Sequence, residues 1–164
     1  MRILFLPLIT RGAALGTISR CLAIAEALQE QGHSSFFVTG GPTSRYVAES
    51  KFEYQEGPVP DPSGPLHPMR NLADVALFLN LTNKDHIRRS FEAELTAIDH
   101  FRPDVIFSEF KLTASISAAC SGLQAVCTAD STAPVVLIMS VALATSSDVP
   151  WATNRNGKLG DVVD

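Results

Sequence analysis

Residues 2–39 read RILFLPLITRGAALGTISRCLAIAEALQEQGHSSFFVT, and the fold is decided there. Residues 2–8 (RILFLPL) are an apolar run with no alternation, as expected of a strand buried on both faces of a parallel sheet. Residues 10–16 (TRGAALG) make a glycine-containing loop. Ile18, Cys21, Leu22, Ala25 and Leu28 then recur at helical spacing, with Arg20, Gln29 and Glu30 on the other side. Thr17 reads as the N-cap of this helix and Gly32 as the residue that ends it. Residues 35–39 (SFFVT) form the second strand, closed by Gly40-Gly41-Pro42. Strand, helix and strand in this order make a βαβ unit with a right-handed crossover.

The alternation continues. A short helix is expected over residues 43–50, a strand over 52–55 and a proline-rich loop over 57–68 (GPVPDPSGPLHP). Residues 69–81 are helical in pattern. Asn83 caps a helix that runs to about Phe101 with Ile87, Phe91, Leu95 and Ile98 as its buried stripe. Arg102-Pro103-Asp104 ends that helix. Residues 105–110 (VIFSEF) are a buried strand, 113–121 a small-residue helix stopped by Gly122, and 124–128 (QAVCT) a further strand. Residues 133–144 fit helix or strand, and 146–164 are polar without periodicity. This alternation predicts an α/β fold, a Rossmann-like doubly wound parallel sheet over residues 1–145, followed by a polar tail at 146–164. Ligands bind such sheets at the carboxyl ends of the strands, which points to the loops at 10–17, 40–43, 109–113 and 129–132.

Composition narrows the function. The chain has 164 residues, 46% hydrophobic and 18% charged, enough apolar material for one globular core. The net charge is −4 with its basic residues scattered, which argues against a nucleic-acid partner. Cys21, Cys120 and Cys127 are odd in number and in apolar contexts. They read as core residues of a reducing compartment, and the expected location is the cytoplasm. Residues 1–9 imitate a signal peptide, but Pro7 and the following Thr10-Arg11-Gly12 favour a first strand. Residues 133–144 (APVVLIMSVALA) fall short of the roughly 20 apolar residues a membrane span needs. They read as core or as an apolar face open to self-association. The Gly12–Gly16 loop is not G-x-G-x-x-G, no acidic residue follows the second strand, and there is no P-loop signature. No metal-ligand spacing stands out, so neither metal nor cofactor is expected. The bland reading of the loop is a glycine-eased turn into a helix.

Taken in order, MRILFLPLI, GTISRCLAIAEALQEQGH, SSFFVTG and the later FRPDVIFSEFKLT resemble the opening domain of GT-B fold glycosyltransferases. The closest groups are the lipid II-forming N-acetylglucosaminyltransferase and the natural-product and plant sugar transferases. The resemblance covers residues 1–128. It implies a single N-terminal GT-B half that binds the acceptor, while a nucleotide-sugar donor is held by a second domain or partner subunit. The tail at 146–164 would lead toward that domain. The implied acceptor is a small molecule or lipid-linked compound with a free hydroxyl, and the isolated chain is expected to be inactive.

Many relatives carry a histidine base where this chain has Thr17, and a threonine does not titrate near neutral pH. Glu109 falls where relatives carry the aspartate that orients that histidine. It is the candidate catalytic carboxylate, or a strand-end residue satisfied by a helix N-terminus. The implied acceptor-binding set is Gly12, Gly16, Arg20, Glu109, Thr113 and Ser131. Arg20 meets a phosphate-bearing ligand or is an ordinary exposed helical arginine. His33 reads as structural and His86 and His100 as solvated. His67 reaches the site only if its loop folds over it. Two other readings stay open: a non-catalytic binding domain on the same scaffold, and a nucleotide-sugar hydrolase, some of which open with a similar Gly-loop and Ser-Arg-Cys-Leu-Ala helix.

Overall fold

A computed structural model describes residues 1–12, 15–61 and 72–127. The sheet is parallel throughout and has the order β3-β2-β1-β4-β5. Its strands are β1 (Arg2–Pro7), β2 (Ser34–Thr39), β3 (Glu53–Glu56), β4 (Val105–Glu109) and β5 (Gln124–Cys127). The helices are α1 (Leu15–Glu30), α2 (Ser44–Glu49), α3 (Leu72–Phe78), α4 (Lys84–Phe101) and α5 (Ala114–Ser121). β1 is central, as its unbroken apolar run requires: Leu4, Phe5 and Leu6 have no exposed surface.

Both faces of the sheet are covered. Phe5, Phe37 and Ile3 pack under α1 and α2 with Ile18, Cys21 and Val47, and the Phe5 and Phe37 rings stack at 4.9 Å. Leu4, Leu6, Val38 and Ile106 pack under α4 and α5 with Ala97, Ile98 and Ala118. Alternate residues of one strand feed opposite layers because successive side chains point to opposite faces. This arrangement agrees with the α/β, Rossmann-like sheet read from the sequence.

The caps are as local chemistry dictates. The Asn83 side chain accepts from the backbone N–H groups of Asp85 and His86, satisfying donors left open at the α4 start. Gly122 ends α5 at φ +66°, where a side chain would be strained. α1 departs from expectation. It begins at Leu15, so Thr17 sits within its first turn, 8% exposed, and is not its N-cap. β3 starts one residue later than expected, with Phe52 tucked beneath it in the α1/α2 layer.

The cysteine reading is corrected in part. Cys21 is buried, but Cys120 and Cys127 are exposed, since α5 turns its last residues outward and β5 lies at the sheet edge. Among the described residues no helix is long and apolar enough to cross a membrane. Residues 128–164, with the 133–144 segment, the tail and Ser131, lie outside the described residues, as does His67.

Candidate functional site

The chain order places β2 and β3 on one side of β1 and β4 and β5 on the other, so the topology switches between β1 and β4. The crevice beyond the carboxyl ends of those two strands is where open α/β sheets take ligands.

Its β2 side is closed by the loop after β3. Gly57 N–H donates to Thr39 O at 2.6 Å, and a Cβ on Gly40 would stand 2.5 Å from Gly57 O. Val59 lies over Gly41, and Arg11 pairs with Asp61 across the same loops. Glycines at 40 and 57 are required by this close approach.

At the switch itself stands Glu109, the last residue of β4, in register with Pro7 of β1 and 2% exposed. Arg20, in the second turn of α1, reaches across 89 residues of sequence to it. Its Nε donates to Glu109 Oε1 at 2.6 Å and its Nη2 donates to the same oxygen. Cys21 Sγ lies 3.8 Å from Oε2. The hydrogen bond and charge of Glu109 raise the guanidinium pKa further. Burial, then the Glu109 charge, pushes the Cys21 thiol up to about 12, so it is not a thiolate nucleophile. The Arg20 side chain is 60% exposed and places only two of its five N–H donors on Glu109. Gly16 is one turn earlier, where a Cβ would lie 3.8 Å from Arg20 Nη1. A half-open cation beside a helix N-terminus is suited to an anionic or hydroxyl-rich group.

A second polar cluster lies on the opposite face, over α4. Glu94 has no exposed surface, and its carboxylate accepts from Thr113 Oγ1 and Ser117 Oγ. Lys111 Nζ is 3.8 Å from it and is itself buried. Burial raises the Glu94 pKa and lowers that of Lys111, pushing both toward their neutral forms against their mutual attraction. His86 is also buried, with Nε2 3.4 Å from Ser90 Oγ and Nδ1 without a partner among the described residues. Burial first, then the positive charges of Lys111 and Arg89, lowers its pKa to about 4. The adjoining crevice between Leu8, Ile9, His86 and Phe110 measures about 10 Å³, room for one water.

Of the residues singled out from sequence, the structure brings Gly16, Arg20 and Glu109 together. Gly12 lies in the segment between β1 and α1, its carbonyl accepting from Thr10 Oγ1 at 2.6 Å. Thr113 requires correction: it is 4% exposed and its hydroxyl is committed to Glu94, so it faces no ligand. His86 is likewise buried, not solvated, because the Lys111–Thr113 loop covers that side of α4. His100 is exposed as read, and His33 lies 3.4 Å from the chain amino group. The α4 cluster was missed because its members are polar. Its only sequence signal is the four-residue spacing of His86, Ser90 and Glu94, continued by Ala97 and Phe101, which together mark the buried face.

No family model and no curated protein matches the chain. Solved structures do. The chain is similar to the glycosyltransferase SnogD from Streptomyces nogalater at 23% identity and TM-score 0.61, covering 88% of this chain and 39% of that one. It is similar to the spinosyn rhamnosyltransferase SpnG complexed with thymidine diphosphate at 16% identity and TM-score 0.59, over 83% and 38%. MurG from Acinetobacter baumannii aligns at 15% identity and TM-score 0.55, over 84% and 39%. These likenesses carry the fold, which is that of GT-B glycosyltransferases. The chain spans about two fifths of the length of these proteins.

Proposed function

We propose that the chain is the acceptor-binding half of a GT-B glycosyltransferase. A donor-binding domain or partner subunit would supply the nucleotide sugar, and residues 146–164 would lead toward it. The observation that carries this reading is the Arg20–Glu109 pair at the β1/β4 switch of a glycosyltransferase-like sheet. SpnG is complexed with thymidine diphosphate, which supports a nucleotide-sugar donor here. The acceptor is a small or lipid-linked molecule whose polar end meets Arg20 and the Gly12–Gly16 loop. In the transfer, the acceptor oxygen bonds to the anomeric carbon as the nucleoside diphosphate leaves. Glu109 is the carboxylate that β4 delivers to receive the hydroxyl proton, and it does so only when Arg20 swings off Oε1.

Acceptor binding is tested on the chain alone by saturation-transfer NMR with hydroxylated aglycones and lipid-linked sugars. A hit should lose about tenfold in affinity in Arg20→Ala, with folding retained. Fusion to the donor half of SnogD should then give transfer that Glu109→Gln abolishes. Absence of any acceptor binding would refute the proposal. Saturable hydrolysis of nucleotide sugars by the chain alone would favour the hydrolase reading.

One observation favours the non-catalytic alternative. Thr17, at the position of the relatives' base, is buried in the first helical turn and does not titrate there. Acceptor binding with no transfer in the fusion identifies that case.

A further inference from the structure

β4 ends in an unusual turn. Phe110, the residue after Glu109, has φ +56°, a left-handed conformation that costs an aromatic L-residue roughly 1–2 kcal/mol. Such a conformation persists only where neighbours over-determine it. The neighbours here are the next residues of the loop, and one side chain holds them. Glu94, wholly buried on α4, takes hydrogen bonds from Thr113 and Ser117 and lies against Lys111. Three residues that follow Phe110 within one short stretch are thus tied to a single carboxylate. The backbone leaving Glu109 has its course set from the opposite layer of the fold.

We propose that Glu94 is a positioning residue for the switch-point site. By holding Lys111, Thr113 and Ser117 it keeps Phe110 in its left-handed turn, and that turn aims Glu109 at Arg20. The inference rests on the reading of Arg20–Glu109 as the site, but its test does not need a ligand. The burial of an ion pair is consistent with this role. Glu94 and Lys111 are desolvated at a cost that apolar residues of similar volume would avoid, so stability alone is a poor reason for them.

The test pairs Glu94→Leu with Lys111→Met, which removes the ion pair without leaving a buried charge alone. The Arg20 Nε–H resonance and the amide exchange of residues 109–113 are followed by NMR, with thermal unfolding measured beside them. The expected result is a folded double variant in which these amides exchange at least about tenfold faster. Its Arg20 Nε–H signal should move toward that of Glu109→Gln. Glu94→Gln combined with Lys111→Met, in which the amide can still bond both hydroxyls, should show a smaller change in the same signals. If the double variant does not fold, Thr113→Val removes one of the three ties and should shift the same signals by a smaller amount. An unchanged Arg20 signal and unchanged loop exchange, whatever the melting temperature does, would overturn the proposal and leave Glu94 a structural residue only. Failure of the wild-type chain to bind any acceptor overturns the functional reading instead, and leaves these signals to be read on their own.

Discussion

Gly40→Ala isolates the close approach that shuts the β2 side of the sheet end. Gly40 has φ −174° and ψ 166°, extended backbone open to any residue, so the substitution introduces no torsional strain. The cost is steric. The new Cβ would lie 2.5 Å from Gly57 O and 3.3 Å from Glu56 Oε2. Ordinary contact begins near 3.4 Å, so the backbone at Gly57 must retreat by about 0.9 Å. It cannot retreat freely, because Gly57 N–H is bonded to Thr39 O and the residue is packed on Ile9 and Val38. Overpacking of this kind costs about 1–3 kcal/mol. At roughly 3 °C per kcal/mol for a chain of this size, the melting temperature should fall by about 3–9 °C. The assay is thermal unfolding followed by circular dichroism, with exchange of the Gly57 amide as a local readout. Gly12→Ala is the control: nothing lies within 4 Å of its Cβ position, and the change should stay within about 0.5 kcal/mol. Equal midpoints for wild type and Gly40→Ala would refute the contact and reopen the β2 side as a ligand crevice.

His86 should make the protein acid-sensitive. Its pKa is lowered from 6.5 to about 4 on folding, so between those values the unfolded chain holds a proton that the folded one does not. Stability is therefore lost as pH falls from 6.5 toward 4, by up to about 3 kcal/mol. His86→Phe should flatten that part of the profile in urea titrations, and an unchanged slope would mean the ring is not buried neutral. Asn83→Ala removes the α4 cap and should lower the urea midpoint by about 1 kcal/mol of stability. Gly122→Ala, at φ +66° in open space, should cost about 1 kcal/mol through backbone strain alone.

Local periodicity carried the chain as far as the sheet. The apolar run of β1, the helical spacing of Ile18, Cys21 and Ala25, the Asn83 cap and the Gly122 stop are all short-range signals. Each expresses a preference of neighbouring residues, and their order is enough to require a parallel α/β layer structure. The start of α1 at Leu15 escaped this reading because its first residue is exposed, and the helix begins ahead of the buried stripe that periodicity detects.

The site was legible only in outline. The resemblance and the loop positions selected Gly16, Arg20 and Glu109. That Arg20 and Glu109 touch follows from the placement of α1 over β1 and β4, which only packing decides. His86 was read from the sequence as solvated and the buried Glu94–Lys111 pair was not singled out, because charge and polarity report exposure only on average. Their burial depends on a loop from elsewhere in the chain closing over α4 and supplying hydrogen bonds. The glycines at 40 and 57 divide in the same way. The sequence marked both as turn residues. That neither has room for a side chain is set by the fold: a Cβ on Gly40 would stand 2.5 Å from Gly57 O, and one on Gly57 would stand 2.8 Å from Ile9 Cδ1.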